Sequence, residues 1–228
     1  MLDKIKGKLI VSCQALEGEP LHSSFIMGRM ALAAKMGGAR AIRAQSKEDI
    51  MEIKGVVDLP IIGIVKRNYE GIDIYITPTK KEVDELLEAK CEMIALDATN
   101  RKRPNNENLK DLVDHIHKSG ILAMADCSTY EECVKAKEIG FDCVSTTLCG
   151  YTPYSKSIDG PNLDLIENLV QDLNIPVIAE GKINTPEDLK LVFRKGVYAA
   201  VVGGAITRPQ DITARFVEAL KEEKNKVL

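Results

Sequence analysis

The 228-residue chain contains no Trp, and aromatic residues make up only 4% of it. A core built with so few rings has to come from Val, Ile, Leu and Ala. The six cysteines, at 13, 91, 127, 133, 143 and 149, form no C-x-x-C pair. That excludes a zinc ribbon or a dithiol redox motif, and leaves reduced, buried thiols of a cytoplasmic protein as the simplest reading. Histidine is scarce too: His22 falls in a first loop, and His115 and His117 stand two apart on a predicted helix, where they do not share a face. With no histidine near the carboxylates discussed below, no metal site is expected. No apolar run approaches the roughly 18 residues of a membrane helix. "LIVSC" at 9–13 resembles a lipoprotein cleavage site, but Lys8 abuts it and leaves the apolar region too short for a signal peptide. The net charge is −3, with Lys and Arg scattered rather than blocked, so neither nucleic acid nor a membrane surface is an expected partner.

What is present is order. Hydrophobic residues account for 45% of the chain, and eight strand-length apolar runs recur at 8–14, 40–44, 60–66, 92–97, 121–126, 141–146, 176–180 and 198–202. Helical patterns lie between and after them, at 23–37, 46–54, 79–89, 106–119, 129–139, 161–173, 185–195 and 209–224. Thr79 with Glu82 and Thr129 with Glu132 fit a capping box, and Ser46 with Asp49 a looser one. Thr185-Pro186-Glu187-Asp188 joins a hydroxyl cap to a first-turn proline and early acids, and Pro209 opens the last helix. The runs are continuously apolar, as strands covered on both faces are. Eight such units, ending on a helix, predict one (β/α)₈ TIM barrel over residues 1–228, in preference to a doubly wound open sheet. Two connections, 67–78 and 147–160, are long; the second is rich in Gly, Thr, Ser and Tyr, as a site-covering loop would be. The last helix ends in "KEEKNKVL". Its apolar stripe packs either on its own barrel or on a second copy, which would make a homodimer.

Charge gathers where the runs stop. Their last polar residues are Gln14, Arg43, Lys66, Asp97, Asp126, the Ser145-Thr146-Thr147 trio and Glu180, and the eighth run ends in Gly203-Gly204. In a barrel these positions converge on one mouth, and catalytic residues of this fold come from several strand ends. A carboxylate buried there costs several kcal/mol unless something compensates it. Lys66 and Glu180 close opposite parts of the ring. Desolvation can bring a lysine down and a glutamate up toward neutrality, which suits both for proton transfer. Set on opposite faces of a carbon, such a pair removes a proton from one side and returns one to the other, and so inverts a stereocentre. A static salt bridge is the competing reading. Gly203 and Gly204 before a helix start, with Gly181 turning after the seventh strand, let backbone N–H groups approach an anion where this fold often holds phosphate; Arg208 would add a charged contact.

In order along the chain, "IVSCQAL", "ARAIRA", "PIIGIVKR", "IALDAT", "MADCST", "TTLCGYT", "VIAEGKINTPED" and "AVVGGAITRP" resemble the bacterial N-acetylmannosamine-6-phosphate 2-epimerase family over nearly the whole sequence. The resemblance implies a barrel enzyme, free of cofactor, that interconverts N-acetylmannosamine 6-phosphate and N-acetylglucosamine 6-phosphate in sialic acid catabolism. It implies Lys66 and Glu180 as the proton-transferring pair. It assigns the open-chain sugar to Gln14, Arg43 and Asp126, and the phosphate to Gly203, Gly204, Arg208 and the Gly181-Lys182 turn. It puts Tyr151, Thr152 and Tyr154 near the N-acetyl group. Chemically the reading is coherent: taking the C2 proton beside the C1 aldehyde builds negative charge on O1, which Arg43 or Lys66 would stabilise, while Asp126 orients Lys66 or a sugar hydroxyl. A barrel lyase or decarboxylase acting on another sugar phosphate, and a non-catalytic sugar-phosphate binder, are the alternatives.

Overall fold

In the computed structural model, which describes residues 1–227 and the side-chain surroundings of 1–221, eight parallel strands close into a barrel in sequence order. They are β1 (Leu9–Cys13), β2 (Ala41–Gln45), β3 (Ile61–Ile64), β4 (Met93–Asp97), β5 (Leu122–Asp126), β6 (Cys143–Ser145), β7 (Val177–Glu180) and β8 (Ala199–Val202). Pairing of Leu9 with Ala200 and of Val11 with Val202 joins β1 to β8 and shuts the ring. All eight expected strands are present; seven are slightly shorter than their apolar runs, and β2 keeps the length of its run, displaced by one residue.

The uniformly apolar runs conceal a period of two, since successive side chains of a strand point to opposite faces. Ile10, Ala41, Ile62, Ile64, Met93, Ala95, Met124, Cys143, Ile178, Ala199 and Val201 pack together inside the barrel. Val11, Cys13, Ile42, Ala44, Ile61, Ile94, Leu96, Ala123, Ala125 and Val144 face outward against the helices. The inward parity carried one step toward each C-terminal end arrives at Ser12, Arg43, Asp97, Asp126, Ser145 and Glu180. Carried past the strand ends, it arrives at Gln14, Lys66, Thr147 and Gly203.

The helices are α1 (Leu2–Ile5), α2 (Ser24–Met36), α3 (Lys47–Val56), α4 (Lys80–Glu88), α5 (Leu109–Lys118), α6 (Tyr130–Ile139), α7 (Leu163–Asp172), α8 (Pro186–Arg194), α9 (Gly204–Thr207) and α10 (Pro209–Val227). The boxes expected at Thr79 and Thr129 form, a third forms at Thr185, and Ser46 accepts from the Asp49 N–H. Helix α5 starts three residues later than the pattern suggested because Asn108 caps it, accepting from the Lys110 N–H, while Pro104–Asn106 form a 3₁₀ turn. The sequence pattern missed α1 and α9, each of only four residues. Both are too short to show a helical period, yet α1 buries Ile5 within the barrel's interior cluster. Of the "KEEKNKVL" segment, residues 222–228 lie outside the side chains described here, and so does that part of the stripe.

On the outer face of β3, Gly63 lets α3 and α4 close down. A Cβ there would lie 2.9 Å from Cys91 Sγ and Leu86 Cδ2, and 3.1 Å from Ile50 Cδ1. Gly63→Ala is therefore expected to cost about 1–3 kcal/mol through overpacking. An unchanged midpoint of thermal unfolding would contradict that packing.

Candidate active site

A cavity of about 570 Å³ opens at the C-terminal mouth of the barrel. It brings together Lys66, Glu180, Gln14, Arg43, Tyr151, Gly181, Lys182, Gly203, Gly204 and Arg208, ten of the sequence-predicted site residues.

Behind the cavity lies a buried ion cluster. Arg43, 1% exposed, sends Nη1 to Asp126 Oδ1 at 3.0 Å and to Glu180 Oε2 at 2.8 Å, and Nη2 to Asp126 Oδ2 at 2.5 Å. A guanidinium's fixed fork suits this double engagement. Burial opposes the charge on Arg43, but Asp126 and Glu180 more than offset it and its proton is held more tightly than usual. Asp126 is fully buried and does not line the cavity. It holds Arg43, and β2 and β5 meet through that pair; any part it takes in binding sugar or orienting Lys66 would act through this cluster.

Glu180 ends β7 with its backbone pinned by Thr146, whose Oγ1 donates to the Glu180 carbonyl at 2.9 Å. Burial raises its carboxyl to about 7; the Arg43 charge opposes the rise and Asp126 adds to it. Lys66 lies two residues beyond β3, where an antiparallel bridge to Ile76 of the following loop fixes it. Burial lowers its amine to about 8, helped by the charges of Arg43 and Arg208. The amine and the carboxyl line one cavity and each feels the other's charge. Their proton affinities thus converge near neutrality, where either group can give or take a proton at little cost.

The glycine turns frame another wall. Gly181 has φ of +100° and Lys182 of +54°, a left-handed turn directly after β7. Gly203 precedes α9, whose first N–H groups have no intrahelical partner. Arg208 borders this wall and is ion-paired at 3.0 Å with Glu19 from the loop after β1. The Lys182 amine turns instead to the long loop after β6, donating to Ser157 Oγ at 2.9 Å and the Ile158 carbonyl at 2.6 Å, above the Tyr151 ring.

Two expected substrate contacts fall outside the cavity. Thr152 is buried, donating to Ser155 Oγ at 2.8 Å. Tyr154 donates to Glu132 Oε1 at 2.6 Å. Glu132, fully buried at the start of α6, also accepts from the Ser128 and Thr129 N–H groups. These residues anchor the covering loop to α6; of the loop's three predicted binders, Tyr151 alone reaches the cavity. Sequence reasoning did not assign Ser12, Tyr75, Thr147, Asp211 or Arg215, all of which line it. The inward parity of β1 and β6 would have found Ser12 and Thr147. Asp211 and Arg215 stand four apart on α10, a helical repeat on one face. Tyr75 comes from a loop with no such pattern.

An amine and a carboxyl lining one cavity at the C-terminal mouth of a (β/α)₈ barrel, where enzymes of this fold carry their active sites, mark the chain as a barrel enzyme. Comparison with known proteins narrows the class. Residues 27–222 match the family described as "Putative N-acetylmannosamine-6-phosphate epimerase". A protein of Clostridioides difficile (strain 630), named "Putative N-acetylmannosamine-6-phosphate 2-epimerase", is 69% identical over 221 residues, covering 97% of this chain and 99% of its own. One of the same name from Shouchella clausii (strain KSM-K16) is 59% identical over 225 residues, covering 97% of this chain and 99% of its own. The solved structure of the N-acetylmannosamine-6-phosphate 2-epimerase from Clostridium perfringens superposes with a TM-score of 0.95 at 68% identity, over 96% of each chain. Thiamine phosphate pyrophosphorylase from Pyrococcus furiosus, at 19% identity and a TM-score of 0.61 over 92% of this chain and 91% of its own, shares the fold alone. The chain belongs to the N-acetylmannosamine-6-phosphate epimerase family.

Proposed function

We propose that the chain interconverts N-acetylmannosamine 6-phosphate and N-acetylglucosamine 6-phosphate by inverting C2 of the open-chain sugar, a step of sialic acid and amino sugar catabolism. The observation that carries this is the convergence of Lys66 at about 8 and Glu180 at about 7 in one cavity. Lys66 takes the C2 proton of N-acetylmannosamine 6-phosphate. The adjacent C1 carbonyl receives the electrons, giving an enediolate with its charge on O1. Arg43 supports that charge electrostatically in a site with little water. Glu180 then delivers its proton to the opposite face of C2. In reverse, Glu180 takes the proton and Lys66 returns one.

In both directions the pair carries one proton between its two members. The pH profile is therefore a bell whose limbs belong to the pair, with its top between about 7 and about 8. Gln14, held by a 2.7 Å bond to Ser12, meets the sugar, and Tyr151 covers the end bearing the N-acetyl group. The phosphate sits at the Gly203-Gly204 and Gly181-Lys182 turns, with Arg208 leaving Glu19 for it.

Two further readings accompany the chemistry. Phe216, Val217 and Leu220 are 74%, 45% and 65% exposed on α10; a second copy covering them makes a homodimer. Free thiols, most of them buried, support the cytoplasmic reading. Among the described residues no helix is long and apolar enough to cross a membrane.

Turnover of N-acetylmannosamine 6-phosphate in deuterated water tests the reaction. The product is expected to carry deuterium at C2. Fragments without labelled epimer would replace this reading with a lyase.

A further inference from the structure

The proton-transfer reading leaves several polar groups of the cavity unused, and one of them, Thr147, touches the reacting carboxylate. Thr147, one inward step beyond β6, holds its hydroxyl 2.8 Å from Asp126 Oδ1, 2.9 Å from Glu180 Oε2 and 2.7 Å from Ser145 Oγ. A hydroxyl has one proton to donate. It cannot serve both carboxylate oxygens at once, and whichever it serves, Ser145 fills the acceptor side. The same two oxygens also share Arg43 Nη1, at 3.0 and 2.8 Å. Every hydrogen bond the described residues make to the Glu180 carboxylate reaches Oε2, and its side chain remains 13% exposed. Oε1 is the oxygen left for the cavity.

We propose that Thr147 is a positioning residue whose single hydroxyl proton follows the charge on Glu180, and that Glu180 Oε1 is the oxygen that exchanges a proton with C2. This rests on the reading of Glu180 as one of the proton-transferring pair. While Glu180 is a carboxylate, Thr147 donates to Oε2. When Oε1 takes a proton, Oε2 becomes carbonyl-like and a weaker acceptor, and the hydroxyl turns to Asp126 Oδ1, still anionic. When Oε1 gives that proton to C2, the O–H bond breaks, the C–H bond forms, the electron pair stays on the carboxylate and Thr147 turns back. The charge in the buried cluster is thereby matched in both states without moving a heavy atom.

The charged groups facing Glu180 are Arg43 from β2, Asp126 from β5 and Lys66 beyond β3. None of them is altered by Thr147→Val, which keeps the shape and removes the hydroxyl. A hydrogen bond to a charged group is equivalent to about one pH unit. The hydroxyl keeps an anionic acceptor in both states, but Asp126 is already held by both terminal Arg43 nitrogens and gains less from it than Glu180 does. Its loss therefore makes the carboxylate harder to form, and the acid limb of kcat/KM should rise by up to about one pH unit in both directions of reaction. The alkaline limb should move less, and it moves at all because both limbs belong to the pair. Thr147→Ser should bring the acid limb back. The substrate phosphate titrates identically in every variant and cancels from the comparison. If Thr147→Val does not fold, Thr147→Ala removes the same hydroxyl without bulk and is expected to give the same shift. An acid limb unmoved in a folded hydroxyl-free variant, or a serine variant that fails to restore it, overturns the assignment. Glu180→Gln, measured alongside, separates the two claims. If it keeps full turnover, the reading of Glu180 is wrong; if it loses turnover while the limb stays put, only the role of Thr147 falls.

Discussion

Lys66→Met is expected to lower kcat by about 10²–10⁴-fold while leaving the thermal unfolding midpoint close to that of the parent. The size follows from the role: a positioned acid–base group is worth that much, and no other amine in the cavity is placed to replace it. Lys182 lines the same cavity, but its ammonium is tied to Ser157 and to the Ile158 carbonyl. Arg43 cannot act as a base, because Asp126 and Glu180 hold its proton more firmly still. The fold should survive because Lys66 is half-buried and forms none of the ion pairs among the described residues. Removing the amine also removes a positive charge from beside Glu180, which should bind its own proton more tightly as a result. The residual activity should therefore have an acid limb above the parent's. Circular dichroism and steady-state assays in both directions check this, and full activity in the variant would take Lys66 out of the chemistry.

Arg43→Met is expected to fail differently, losing both turnover and stability. The guanidinium is nearly inaccessible and neutralises two carboxylates at once. Removing one partner of a buried ion pair leaves an uncompensated charge, at a cost of about 3–5 kcal/mol. For a chain of this length that is a fall of about 6–20 °C in the unfolding midpoint. A second change, Asp126→Asn, removes the stranded charge and should recover part of the loss; the shortfall from additivity measures the coupling. Turnover should not return with it, because the enediolate still lacks its positive neighbour. If Arg43→Met alone unfolded at the parent's midpoint, the buried cluster would not be the organising feature described here.

These residues were legible in the sequence to different degrees, for physical reasons. Arg43 and Glu180 stood out because a charge at the end of an apolar run is costly unless compensated. Their mutual pairing did not, since partners 137 residues apart are joined only by closure of the barrel. Asp126 carried the same signal, but its pairing with Arg43 was not legible. A strand-end carboxylate facing inward is compatible with a ligand or with a neighbouring guanidinium, and the sequence does not say which is nearer. Thr152 and Tyr154 were placed by loop resemblance alone. Their hydroxyls are engaged by Ser155 and Glu132, contacts that tie the covering loop to itself and to α6 and that the resemblance did not indicate. Thr147 was seen as a strand-end hydroxyl but given no task, because its value depends on two carboxylates from other strands. The caps at Thr79, Thr129 and Thr185 were the easiest to read, since every atom they need lies within four residues.

The central claim is that the amine and the carboxyl serve opposite faces of one carbon. Hydrogen exchange at C2 in deuterated water, followed by NMR on the two single-base variants, tests it most directly. Glu180→Gln should exchange the C2 hydrogen of N-acetylmannosamine 6-phosphate without forming the other epimer. Lys66→Met should do the same for N-acetylglucosamine 6-phosphate. If either variant exchanges both epimers, or if both act on the same one, the two groups do not divide the faces between them.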